Sequence, residues 1–178
     1  MPEPQFLRRI TMNRVPTLPE LLDFGDMMAC NLQDKQGQAP FLWLFQCGPT
    51  LDVMLGRWDN DEEKDITLQA IRASLEQSPK ITAYVSIFEM WVASYDKSER
   101  RATARVENDP RRQSALMVTA FARSGGHCEK IYTVSYDDKG KPSRTLNPEM
   151  QGRFSGRMFD LFRPQVPLPP DHPKVADA

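Results

Sequence analysis

Between Ile81 and Ser94 the chain runs Ile-Thr-Ala-Tyr-Val-Ser-Ile-Phe-Glu-Met-Trp-Val-Ala-Ser, its longest apolar stretch. β-Branched and aromatic residues dominate it, and these suit a pleated surface. Successive side chains of a strand point to opposite sides. Ala83, Val85, Ile87, Glu89 and Trp91 therefore share one face, and Thr82, Tyr84, Ser86, Phe88 and Met90 share the other. Both faces carry large apolar groups, so this strand belongs in the middle of a sheet.

The remaining elements are read around that strand. Residues 1–16 show no period and are expected to form an extended N-terminal arm, made basic by Arg8, Arg9 and Arg14. Thr17-Leu-Pro-Glu20 has the form of a capping box, and Leu18, Leu21, Leu22, Gly25, Met28 and Leu32 follow at helical spacing, predicting a helix over about 18–32. Phe41 to Cys47 is a short apolar run between Pro40 and Gly48-Pro49, and Leu51 to Leu55 is its expected hairpin partner. Asn60 with Glu63 can cap a second helix, whose acidic first turn suits the positive end of the helix dipole and whose buried stripe is Leu68, Ile71 and Leu75. That helix terminus accounts for Asp59, Asp61, Glu62, Glu63 and Asp65 better than a metal site does.

Beyond the central strand, Ser114 to Phe121 and Glu129 to Tyr136 flank Ser124-Gly125-Gly126 and predict a hairpin. Ser143 to Leu146 follows as an edge strand. Asn147-Pro148 then has the form of a helix start, with Met150, Phe154, Met158, Leu161 and Phe162 at helical spacing. Five prolines between Pro164 and Pro173 mark a tail with no core element. The order α-β-β-α-β-β-β-α with short links predicts an α+β fold, a mainly antiparallel sheet with its helices packed on one face. The expected organisation is an arm over 1–16, one domain over 17–162 and a Pro-rich tail over 163–178.

The 178 residues suffice for one core, and the balance of 40% apolar to 26% charged residues is that of a globular chain. No apolar run approaches the roughly 20 residues of a membrane helix, so no membrane partner is expected. The N-terminus lacks a secretory layout. Cys30, Cys47 and Cys128 are odd in number and form no Cys-x-x-Cys pair, which argues against a disulfide framework or metal cluster and for a cytoplasmic protein. The net charge of −1 hides an asymmetry: residues 1–99 carry 9 Lys/Arg against 15 Asp/Glu (net −6), and residues 100–178 carry 14 against 9 (net +5). Such halves can serve self-association, or can pair with each other inside one fold.

Glu89 is the oddest residue, a carboxylate between Ile87 and Trp91 on an apolar strand face. It must be paired, protonated or part of a site, and as a catalytic acid or base it needs a second polar group within reach. His127 falls at a hairpin tip and His172 in the tail, with no partner at ligand spacing. Cys128 adjoins His127 in sequence but would face the other way. There is no Gly-x-Ser-x-Gly elbow and no phosphate-cradling Gly-rich motif, so no cofactor is expected. Arg100, Arg101, Arg105, Arg111 and Arg112 make the segment after the central strand the best binding candidate, either for phosphates or for acidic groups.

Glu89-Met-Trp91, the Arg-rich segment after it, Asp109-Pro110-Arg111 and Ala115-Leu-Met-Val118 together resemble a loose group of small uncharacterised bacterial and bacteriophage-encoded proteins, over about residues 60–136. The resemblance implies a bacterial-type cytoplasmic protein and carries no activity. Three functions are thus open: a non-enzymatic protein-binding or assembly protein, self-associating or with a protein partner, acting through the Arg-rich loop and the termini; a nucleic-acid-associated protein using the same arginines; and a small hydrolase centred on Glu89.

Overall fold

A computed structural model describes residues 5–93, 109–148 and 161–162. It contains β1 (Gln5–Thr11), α1 (Leu18–Gln36), β2 (Leu42–Cys47), β3 (Thr50–Leu55), α2 (Asp61–Gln77), β4 (Ile81–Val92), β5 (Gln113–Ala122), β6 (His127–Tyr136) and β7 (Pro142–Leu146). The strands form one antiparallel sheet in the order β1-β3-β2-β4-β5-β6-β7. The long apolar stretch from Ile81 is β4, 12 residues long and fourth of seven. Its position follows from its composition, because only a central strand has neighbours and cover enough to bury both faces. The helix expected from Asn147 onward, residues Arg100, Arg101 and Arg105 of the candidate loop, and the tail with His172 lie outside the described residues.

The helix ends are built as their sequences dictate. Thr17 donates from its backbone N–H and its hydroxyl to Glu20 at 2.8 and 2.9 Å, and the Arg14 guanidinium pairs with the same carboxylate. Those donors, Arg14 foremost, hold the Glu20 carboxyl down at about 2. Asn60 accepts from the backbone N–H of Glu63 at 2.9 Å and opens α2. α1 runs on to Gln36 and stops at Gly37, whose φ of 79° is a left-handed cap that side chains avoid. Just past β5, Arg123 donates to the carbonyls of Leu75 at the end of α2, Ser78 beyond it and Ile81 at the start of β4.

One expectation is overturned. The helices do not pack on one face: α1 lies on one and α2 on the other. Leu21, Leu22 and Ala29 of α1 bury against Leu42, Leu44, Leu51, Val53, Val85, Ile87, Leu116 and Val118. Leu68, Ile71 and Leu75 of α2 bury against the intervening residues Trp43, Phe45, Met54 and Tyr84. The topology gives the reason. β1 reaches β2 across β3 by way of α1, and β3 reaches β4 across β2 by way of α2. Both crossovers move in the same direction across the sheet, but they start from strands of opposite polarity. Right-handed crossovers of that kind must leave on opposite faces.

Two close approaches tighten the layers. A Cβ on Gly25 would lie 2.7 Å from Cγ1 of Val85, so the glycine lets α1 settle onto β4. On the other face a Cβ on Gly56 would meet Phe41, Trp43 and Trp58 at 2.6–2.9 Å. A third apolar cluster of Phe88, Ala115, Met117 and Ile131 continues the α2 face toward β6. Residues Gln5–Thr11, expected only as an extended arm, are an edge strand paired with β3 and bulged between Phe6 and Arg8.

Candidate functional site

Glu89 stands near the end of β4 on the α1 face, where the last turn of α1, the start of β5 and the end of β6 converge. Four donors reach its carboxylate. The hydroxyl of Ser114 donates to Oε1 at 2.6 Å, and the Tyr136 hydroxyl donates to the same oxygen. The Gln33 side-chain amide and the backbone N–H of Ala39 both donate to Oε2 at 3.2 Å. Gln33 is completely buried, and its carbonyl oxygen accepts from Arg144 at 2.8 Å while the other arm of that guanidinium reaches Asp34 at 2.8 Å. A carboxylate has about four acceptor sites, so here each is met by a positioned donor. Burial and the bond to Glu89 push the Tyr136 hydroxyl up to about 12.

The register accounts for the assembly. Ser114 lies opposite Trp91, two residues beyond Glu89 on the same face, and Val134, two before Tyr136, lies opposite Ser114. Ser114 and Tyr136 are the second polar groups that acid–base chemistry at Glu89 requires. Yet they occupy its lone pairs, and two surface cavities among the described residues lie elsewhere. One, of about 460 Å3, is lined by Thr133, Ser135, Thr145, Leu146, Asn147 and Pro148; the other, of about 410 Å3, lies against β1 and Asp52. The arrangement suits a carboxylate that holds α1 and three strands in register.

Beside this network stands an exposed aromatic surface. Trp91 is 49% exposed, and the Arg112 guanidinium lies over its ring at 4.9 Å. Tyr136 is 41% exposed on the far side of Glu89. Of the expected arginines, Arg112 is thus stacked on an aromatic ring. Arg111 turns back onto Asp109, donating from its backbone N–H at 2.8 Å and from Nε at 3.2 Å.

Further along α1, Asp26 accepts from Lys130 at 2.7 Å and from the Tyr132 hydroxyl at 3.0 Å, and Asp23 accepts from Lys130 at 3.0 Å. Asp26 raises Lys130 above the ordinary lysine value, and burial together with Asp26 pushes Tyr132 up to about 12. These pairs, with Asp34–Arg144, join the acidic half of the sequence to its basic half inside one molecule. The asymmetry of charge is satisfied there, at least in part. His127 is exposed and stacks on Phe121 at 5.9 Å, while Cys128 turns to the α1 face, so the two do not form a dyad.

Sequence reasoning found Glu89 and Arg112 but not Gln33, Ser114, Tyr136 or Arg144. The only signal for Ser114 was register, which needs the strand partner to be known. Among the described residues no group of three or more His, Cys, Asp or Glu could hold a metal, and no helix is long and apolar enough to cross a membrane. No protein-family model, curated protein or solved structure matches the chain.

Proposed function

We propose that the protein is a non-enzymatic protein-binding or assembly protein, of bacterial or phage type and cytoplasmic, that engages its partner through the end of the sheet around Trp91. The stack of Arg112 on a half-exposed Trp91 carries this reading. Trp, Tyr and Arg are the residues that dominate binding hot spots, since each presents a large rigid or planar surface at small entropic cost. The Glu89 network below gives that surface a rigid floor. It also explains the carboxylate without invoking turnover.

The test compares proteins retained from a bacterial lysate by the wild-type chain and by Trp91→Ala, with circular dichroism confirming an unchanged fold. A protein held by the wild type and lost by Trp91→Ala supports the reading. Identical retention by both defeats it. The same stack favours one alternative, because a base can lie on Trp91 with the arginines on phosphates, as in single-strand binders. In that case retention is removed by nuclease and falls steeply between 50 and 200 mM salt. For the third reading, a hydrolase centred on Glu89, Glu89→Gln would abolish a turnover while leaving the fold intact.

A further inference from the structure

One row of side chains crosses the α2 face from β2 through β4 and β5 to β6, where it ends on the half-buried Glu129 opposite Thr119. Trp43 lies opposite Ser86, and Ser86 lies opposite Thr119. All three are buried, at 0, 0 and 1% exposure, and Trp43 Nε1, Ser86 Oγ and Thr119 Oγ1 have no hydrogen-bond partner among the described residues. The rows on either side are apolar or aromatic: Phe45, Tyr84 and Phe121 on one side, Phe88, Met117 and Ile131 on the other. Cross-strand neighbours have their Cβ atoms about 5 Å apart, close enough for a single small molecule to touch adjacent members of the row.

The three groups cannot satisfy one another. A serine and a threonine hydroxyl can share one bond, but an indole N–H only donates and needs an acceptor. Nor is the indole free to turn toward one. Its Cζ3 is packed where a Cβ on Gly56 would fall 2.9 Å away, and the Phe41 ring meets it edge-on at 4.4 Å. Buried polar groups left by the fold in this way are met by ordered water, which accepts from one group and exchanges bonds with two more.

We propose that Trp43, Ser86 and Thr119 form an internal water-binding site between β2, β4 and β5, separating the two apolar clusters of the α2 face. The water accepts from Trp43 Nε1 and bridges to the Ser86 and Thr119 hydroxyls. Buried on all sides, it exchanges slowly with solvent. This sets the site apart from the wet surface at Trp91.

Water–protein NOE spectroscopy tests it, with Trp43→Phe assigning the indole resonance among the three tryptophans. The expected result is a cross-peak between water and the Trp43 indole proton with the sign of a long-lived complex, lost in the Ser86→Ala, Thr119→Val double variant while the remaining amide resonances stay in place. No such cross-peak in the wild type, or its persistence in the double variant, overturns the proposal. Should the double variant not fold, a crystal structure of the wild type at about 1.5 Å decides. A round density peak within hydrogen-bond distance of Nε1 and at least one hydroxyl supports the site, and empty or elongated density refutes it.

Discussion

The two faces of the sheet bury polar atoms in opposite ways. On the α1 face the polar side chains of the Glu89 network are each met by a partner from another element: Gln33, fully buried, from α1, Ser114 from β5, Tyr136 from β6 and Arg144 from β7. On the α2 face Trp43, Ser86 and Thr119 share a row and no bonds among the described residues. The contrast separates two uses of buried polarity. A network whose members come from many elements fixes how those elements sit together. A row that the fold leaves unbonded does nothing for position, and its groups must find their partners in solvent.

The largest effect should come from breaking the first kind. Gln33→Leu keeps the volume but strips Glu89, Tyr136 and Arg144 of a fully buried partner at once, and should cost about 2 kcal/mol. On the other face, Ser86→Ala with Thr119→Val removes polar groups in shape-matched pairs, and should shift stability by less than about 1 kcal/mol. Urea unfolding of the two variants measures both. Equal losses would erase the distinction between the faces.

Alkaline pH acts on the Asp26 cluster of the α1 face, by a smaller step. Tyr132 ordinarily titrates at 10.0 and is pushed up to about 12, and Lys130 lies above its ordinary 10.5. A group whose value is raised by folding contributes fully below its unfolded value, and that contribution fades as pH climbs through the folded one. Stability should therefore hold up to about pH 10 and fall between 10 and 12. Tyr132→Phe should flatten part of that fall in a series of thermal melts, whereas Ser86→Ala with Thr119→Val should leave it unchanged. A wild-type profile flat to pH 12 would show that the Asp26 cluster is not coupled to folding.

How far the fold was legible follows from which residues speak locally. β4 declared itself because Tyr84, Val85, Ile87 and Phe88 are apolar on both sides. The hairpin of β5 and β6 was marked by Gly125-Gly126, and both helix starts by Thr17 and Asn60. β1 was silent: its bulge after Phe6 breaks the alternation, and Arg8 and Arg9 suit an exposed edge. The split of the helices was a matter of inference. A helical stripe states which side of the helix is buried, not which face of the sheet receives it. Even so, a strand apolar on both faces needs cover on both, and β4 carried that message. The partners of Glu89 were out of reach because Ser114 and Tyr136 are 25 and 47 residues away, and only the sheet's register brings them close.

The smallest effect sharpens the comparison at the rim. Arg9 and Asp52 form a two-pronged ion pair on the α2 face, at 2.7 and 3.2 Å, between the outermost strand and its neighbour. Its geometry is as good as that of Lys130 with Asp26, yet the setting differs: the Arg9 side chain is 72% exposed and the Lys130 side chain 29%. Water and salt already solvate and screen an exposed pair, so little is lost when it goes. Arg9→Ala should leave the melting temperature unchanged within error, in low salt and in 1 M NaCl alike, while Lys130→Ala lowers it in both. A clear drop for Arg9→Ala at low salt that disappears in 1 M NaCl would mean that β1 is held on the sheet by this pair. The edge strand would then owe its place to charge, and not to the backbone ladder with β3 and the packing of Ile10 against the α1 core.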